Sequence, residues 1–313
     1  MTHPPRPEAP TVGAEATAWS AWLGREERHA ALVSADQAAL FESSLDRLAP
    51  AADEPLAPLR HWMWLFAPPA IPTARLDPDG HPPRGPLVPT WPLPRRMWAG
   101  SSLTWLAPVA PGSLLERHSS VLAVELKSGR SGTLGFLTLQ HRWHNRGQCA
   151  IDERQTVVYR EAASGTSPSP VPPPAPPTPA AIPASASEPA AGTDPAPGGW
   201  GTVHTPGELL LFRYSALTFN AHRIHYDRTY ATRTEGYPDL VVHGPLMATL
   251  MIDAFRDAHP RARLRSFSFR ALAPAFVGGP LVVGGEPTGD GRASLWVRSS
   301  GGAAHLTGEV AFD

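Results

Sequence analysis

Residues 244–258 read Gly244-Pro-Leu-Met-Ala-Thr-Leu-Met-Ile-Asp-Ala-Phe-Arg-Asp-Ala258, and this stretch decides the fold. Leu246, Leu250, Met251 and Phe255 recur at helical spacing, and the run is apolar enough to predict a buried helix. Four β-like segments follow it: RLRSFSFRALAPAF from Arg263, PLVVGGEPTG from Pro280, ASLWVRSS from Ala293 and AHLTGEVAF from Ala304. One buried helix ahead of a run of antiparallel strands predicts an α+β unit in which a sheet wraps around the helix. Just upstream, residues 207–219 open with the strand-like run ELLLFRYSALT.

Further toward the N-terminus the text changes. Twelve of the 36 residues from 164 to 199 are proline; the rest are mainly Ala, Ser, Thr and Gly, with no Lys or Arg. Such a segment cannot bury a core and predicts an extended, disordered linker. It divides the chain into domains at 1–163 and 200–313. Within the first, residues 14–48 predict helical stretches carrying Trp19, Trp22, Leu23, Leu40, Phe41 and Leu45, and residues 50–94 are proline-rich and irregular. Residues 95–160 predict four strands, with turns at Pro111-Gly112 and Asn145–Gly147. A strand followed by Pro108-Val-Ala-Pro-Gly112 in the first half, and by Pro274-Ala-Phe-Val-Gly278 in the second, suggests a divergent internal duplication.

Composition narrows the function classes. The formal net charge of −1 draws the molecule neither to nucleic acid nor to an anionic membrane. No stretch reaches 18 apolar residues, so no membrane span is expected, and the N-terminus lacks the pattern of a secretory signal. The single cysteine, Cys149, permits no intrachain disulfide and fits a cytoplasmic protein.

The densest polar cluster is Thr218-Phe-Asn220-Ala-His222-Arg-Ile-His225-Tyr-Asp227, followed by His243-Gly244 at the start of the predicted helix. Three readings compete. His222, His225 and His243 could hold zinc, although no further carboxylate or thiolate is well placed except Asp227. The histidines could be structural, satisfied by backbone partners. Or His225 and Asn220 could form a catalytic pair, with the Gly244 N–H as an oxyanion donor at a helix N-terminus. Histidine is the side chain whose ordinary pKa suits deprotonation of water near neutrality, and glycine lets a substrate approach the backbone closely.

These residues carry a family resemblance. Residues 205–313 resemble the hydratase-2 branch of the MaoC-like hot-dog superfamily, whose signature is a Ser-Gly-Asp-x-Asn-Pro-Leu/Ile-His-x-Asp run followed by a His-Gly pair at the central helix. The first half resembles the degenerate N-terminal hot dog of double-hot-dog members. The expected fold is thus a double hot dog, with two antiparallel sheets each wrapped around a central helix. The form FNAHRIHYD is similar to mesaconyl-C4-CoA hydratase and the type 2 hydroxyacyl-thioester dehydratases. Three departures stand out: Asn220 occupies the family's catalytic aspartate position, His222 its asparagine and Arg223 its proline.

The resemblance implies reversible addition of water to the α,β-double bond of an enoyl-CoA thioester, with no cofactor and no metal. A mesaconyl-C4-CoA type of substrate is expected. The alternatives are a 3-hydroxyacyl-thioester dehydratase of fatty-acid synthesis or a non-catalytic acyl-CoA-binding protein. Since an amide cannot be a carboxylate base, His225 is the expected acid/base, Asn220 orients water or substrate, and Gly244 holds the thioester oxygen. His222, Arg223, His243, Thr249 and Arg270 are the expected substrate-binding residues, with Arg96 and Arg213 as further candidate cations for an acyl carboxylate. With two hot dogs in one chain, a monomer or a homodimer is expected.

Overall fold

The computed structural model describes residues 19–51, 54–65, 71–129, 132–161 and 199–313. The predicted linker, apart from Gly199, lies outside these residues.

The described strands join into one ten-stranded sheet. Its first half contains β1 (Glu26–Leu32), β2 (Arg95–Trp105), β3 (Leu114–Gly129), β4 (Gly132–Asn145) and β5 (Gln148–Arg160). Its second half contains β6 (Trp200–His204), β7 (Leu264–Ala271), β8 (Leu281–Gly289), β9 (Arg292–Ser299) and β10 (Ala304–Phe312). The order is β1-β3-β4-β5-β2-β7-β10-β9-β8-β6, all antiparallel, and the seam is the pairing of β2 with β7 from Gly100↔Arg270 to Thr104↔Ser266. The two predicted sheets are therefore continuous.

Three helices accompany the sheet: α1 (Ala35–Ser44), α2 (Glu208–Leu217) and α3 (Gly244–Ala258). Helix α3 is the predicted buried helix, and every residue from Leu246 to Phe255 is buried. It lies in the curve of the second-half strands, where the Phe255 ring sits 5.8 Å from Trp200 and 5.0 Å from Phe312. Pro245 in its first turn suits the helix start, where an N–H would have no helical partner.

The first half departs from the expectation that each sheet wraps a central helix. Among its described residues there is only the ten-residue α1, which packs on α2 of the other half. The Phe41 ring lies 5.6 Å from Tyr214, and Gln37 Nε2 donates to Leu217 O at 2.9 Å. The concave face of the first-half strands is instead covered by the proline-rich stretch, whose Leu87, Trp91 and Leu93 pack on Val121, Leu137, Leu139 and Tyr159. Gly135 makes room for this cover, since a Cβ there would lie 2.9 Å from the Trp91 ring.

One other expectation is overturned. Residues 208–217 are helix α2, not a strand. Apolar side chains surround it, with Leu211 and Tyr214 buried but Leu209 and Phe212 exposed, so it has no clean helical stripe. Residues 26–32, lying between the helical stretches expected around Trp19–Leu23 and Leu40–Leu45, form edge strand β1 against β3. Tertiary pairing overrides their helix-favouring Glu, Arg and Ala.

A buried ion network fastens the halves. Arg60, in a short 3₁₀ turn at Arg60–Trp64, donates to Glu42 of α1 at 2.7 and 2.9 Å and to Asp253 of α3 at 2.9 Å. Nearby Glu153 of β5, fully buried, accepts from Trp62 Nε1 at 3.1 Å, from Ser101 Oγ at 2.8 Å and pairs with His61 at 3.3 Å.

Candidate active site

The loop from Phe219 to Asp227 is built by local bonds. Helix α2 ends at Thr218, and Phe219 then adopts a left-handed backbone (φ 53°) that turns the chain back. Asn220 N donates to Ser215 O at 2.9 Å, and Asn220 Oδ1 accepts the His222 N–H at 3.1 Å. A 3₁₀ turn at Arg223–His225 follows, and Val241 N donates to Ile224 O at 3.0 Å, which docks the loop on the segment leading into α3.

This docking orients His225. Its Nδ1 lies 2.7 Å from Val241 O, which can only accept, so Nδ1 carries the hydrogen and Nε2 is left with a lone pair. The ring stacks on His243 with centroids 3.6 Å apart and 19° between planes. His243 is completely buried and hydrogen-bonds through Nε2 to Ser215 Oγ at 2.8 Å. Burial lowers the pKa of His225 to about 4, against an opposing pull from the Val241 bond, and lowers His243 well below its ordinary value with help from His225. His222 falls to about 2, chiefly by burial, then by the charges of His225 and Arg96. All three rings are neutral at neutral pH, so His225 is present as its base.

A cavity of about 270 Å³ opens beside this cluster. Asn220, His222, His225 and Gly244 line it, with Leu137, Leu139, Val157 and Tyr159 of the first half as an apolar wall. Gly244 begins α3 and its N-cap, His243, gives no side-chain acceptor. A Cβ on Gly244 would meet nothing within 4 Å, so the backbone there faces open space. The N-terminal end of α3 thus lies at the cavity that His225 lines, with the positive end of its helix dipole there.

The other expected residues fare unevenly. His243 does not line the cavity and serves as a platform under His225. Arg223 is occupied by Asp227 at 2.7 and 3.1 Å and by Pro78 O at 3.0 Å, and stacks over Tyr230, so it braces the loop and does not line the cavity. Thr249 is completely buried, with its hydroxyl donating to Pro245 O at 2.9 Å. Arg270 alternates on β7 with Phe269 and Ala271; Ala271 lines the cavity, so Arg270 projects from the opposite face. Arg213 is also absent from the lining, whereas Arg96 is its one Lys or Arg side chain among the described residues.

Sequence reading did not find Asp79 and His81, which reach the site from the first half, nor Tyr159, Tyr237 and Gln155 in the cavity wall. Their signal was slight: a Pro-Asp-Gly-His-Pro turn at 78–82 in a proline-rich stretch. The zinc set of His222, His225 and His243 is not assembled, because His225 spends Nδ1 on Val241 and His243 stacks face-on. Ligand atoms of Asp79, His81 and His222 do lie within 4.8 Å of one another.

Comparison with known proteins agrees with this geometry. The family model for hydroxyacyl-thioester dehydratase type 2 matches residues 61–277. The chain is similar to mesaconyl-C(4)-CoA hydratase of Chloroflexus aurantiacus, with 39% identity over 297 residues, 93% of this chain and 97% of that one. Among solved structures, a MaoC-like dehydratase from Phytophthora capsici superposes with a TM-score of 0.65 at 16% identity, covering 93% of this chain and 96% of that one. A Mycobacterium tuberculosis protein described as a double hot dog superposes with a TM-score of 0.54 at 16% identity, covering 93% and 96%. Family model, relative and shared fold agree that the chain belongs to the hydroxyacyl-thioester dehydratase type 2 family of MaoC-like, double-hot-dog hydro-lyases.

Proposed function

We propose that this protein reversibly hydrates an α,β-unsaturated acyl-CoA thioester whose acyl group carries a carboxylate, as in mesaconyl-C4-CoA. The observation that carries the reading is that His225, its Nδ1 committed to Val241 O, and Gly244, the first residue of α3, line one largely apolar cavity. His225 takes a proton from water as its oxygen attacks the β-carbon. The Gly244 N–H holds the thioester oxygen as negative charge gathers there. Asn220, lacking a carboxylate, orients the water.

Arg96 supports the dicarboxylic acyl group. Its guanidinium is mostly buried, and the carboxylate paired with it, Asp79, stands at 3.7 Å while hydrogen-bonding to His81. A planar fork in that setting suits a substrate carboxylate. The alternative, dehydration of a simple 3-hydroxyacyl thioester, uses the same groups in reverse and is favoured by the leucine and valine wall. A CoA thioester as substrate fits an enzyme of the cytoplasm.

The test compares mesaconyl-C4-CoA with crotonyl-CoA, following loss of enoyl-thioester absorbance and gain of one water by mass, with His225→Ala as control. Faster hydration of the dicarboxylic substrate is expected. Turnover of crotonyl-CoA alone selects the simple dehydratase. Binding of both without turnover selects an acyl-CoA-binding protein.

A further inference from the structure

The loop that carries His225 has an amide at position 220 where the broader MaoC-like signature has a carboxylate, yet the first half delivers an imidazole, held by a carboxylate, to the same cavity. They sit on a tight turn, closed by Asp77 N donating to His81 O and Gly80 N donating to Asp77 O, both at 2.8 Å. The turn is stitched to the catalytic loop. Arg223 N donates to Asp79 O at 2.9 Å, and Arg223 Nη1 donates to Pro78 O at 3.0 Å. Gly80 has φ +91°, and a Cβ there would lie 1.9 Å from Ala221 O, so only glycine permits so close an approach.

The turn presents a second oriented histidine. Asp79 Oδ1 accepts the His81 N–H at 2.9 Å, and Asp79 Oδ2 lies 2.9 Å from His81 Nδ1. A carboxylate in that place fixes the hydrogen on Nδ1 and leaves Nε2 as the exchangeable position. His81 lines the cavity with His222 and His225, and is about as buried as they are. His222 lies between the other two, with ring centroids 4.3 Å from His81 and 5.5 Å from His225.

We propose that His81, oriented by Asp79, is the second proton-transfer group of the cavity, working at the α-carbon while His225 works at the β-oxygen. This rests on the hydratase reading. In hydration, a water O–H bond breaks, its proton passes to His225 Nε2, and the oxygen pair forms the C–O bond at the β-carbon. The C=C π pair shifts toward the thioester as an enolate. A C–H bond then forms at the α-carbon with the proton of His81 Nε2, and the enolate pair returns to the carbon. His225 ends with one proton more and His81 with one fewer, and the pair resets through His222 or solvent. The step requires His81 to enter protonated, and the Asp79 carboxylate at 2.9 Å is the group that would favour that form. A divalent metal on the same three ligands is disfavoured, because Asp79 and His81 Nδ1 are bonded to each other and the Arg96 guanidinium stands 3.7 Å from Asp79.

The test uses the full chain and its enoyl-thioester substrate across pH. His81→Gln should lower kcat about 10²–10⁴-fold, leave KM within about threefold and regain part of its rate with added imidazole. Asp79→Asn should move the alkaline limb of kcat to lower pH, because the anion that favours the imidazolium is gone. The charged and titratable groups around His81 are Asp79 on its own turn, His222 on the catalytic loop, Arg96 on β2 and, beyond these, Arg84, whose charge reaches Asp79, and Tyr159 on β5. A His81→Gln enzyme with near-normal kcat, or an Asp79→Asn profile with an unmoved alkaline limb, overturns the proposal. So does stoichiometric zinc in the purified protein with activity lost on chelation. If the unaltered protein hydrates no enoyl thioester, the hydratase reading itself has failed; if it is active and His81→Gln equally so, only this proposal has.

Discussion

The two halves of the sheet solve the same packing problem with different fillings. The second half curves around α3, a continuous helix buried from Leu246 to Phe255. The first half lays Leu87, Trp91 and Leu93 of an irregular, proline-rich stretch on its concave face. A helix brings a dipole and uncapped N–H groups, so the second half is where an oxyanion donor is proposed. An irregular cover can leave a gap, so the first half supplies the cavity wall of Leu137, Leu139, Val157 and Tyr159. The proposed acid/base and oxyanion groups sit where the filling is regular, and the apolar cavity wall lies where it is not.

That contrast can be broken most severely at His225. His225→Ala should reduce kcat about 10²–10⁴-fold, with circular dichroism and melting temperature near those of the unaltered protein, since Val241 O can turn to water. Next in size is the network joining the halves. Arg60→Met would take from Glu42 and Asp253 their buried partner, leaving only Arg47 at 3.8 Å and Arg256 at 3.3 Å, and should cost about 3–5 kcal/mol in a denaturant titration. Loss of much less than that would mean α1 and α3 are not held together through Arg60.

Arg96→Met sharpens the substrate side of the comparison. Loss of a charge-assisted bond of about 1.5–3 kcal/mol should lower kcat/KM roughly 10–150-fold for a dicarboxylic enoyl thioester and leave crotonyl-CoA little changed. Equal loss on both substrates would assign Arg96 to holding Asp79 in place.

The most gradual effect concerns His141 beside the first-half wall, whose pKa burial lowers to about 4. The unfolded chain binds that proton at its ordinary value near 6.5, so stability should be full above that pH and decline as pH falls toward 4. One such group contributes a slope of at most about 1.4 kcal/mol per pH unit, and His141→Gln should flatten the melting-temperature profile there. Glu153 acts over a lower range. Burial raises its pKa, but the hydrogen bond and charge of His61, the charge of His141 and the Trp62 N–H outweigh this and leave it lowered. Its contribution is therefore present above the ordinary carboxylate range and is lost only in stronger acid.

Much of this was legible in the sequence, unevenly. Helix α3 and strands β7 to β10 follow from local periodicity, as do β2 to β5. Helix α2 was misread because Leu209 and Phe212 are apolar on its exposed side, and β1 was missed because an edge strand is defined by its neighbour. At the site, His225 and Gly244 carried a motif, while the turn at Asp79 and His81 is brought there by contacts more than 140 residues apart in sequence, as with Arg223 to Pro78. Arg270 could have been set aside from strand alternation alone, given Phe269 and Ala271 on either side of it.

The seam between β2 and β7 has a further consequence. In an assembly of identical subunits around a twofold axis, any substitution is copied onto both sides, so a helix given up to make room is given up twice. A seam within one chain removes that constraint and lets each half change alone. With His225 and Gly244 supplied by one half and the wall by the other, binding should saturate at one acyl thioester per chain, with a Hill coefficient of one.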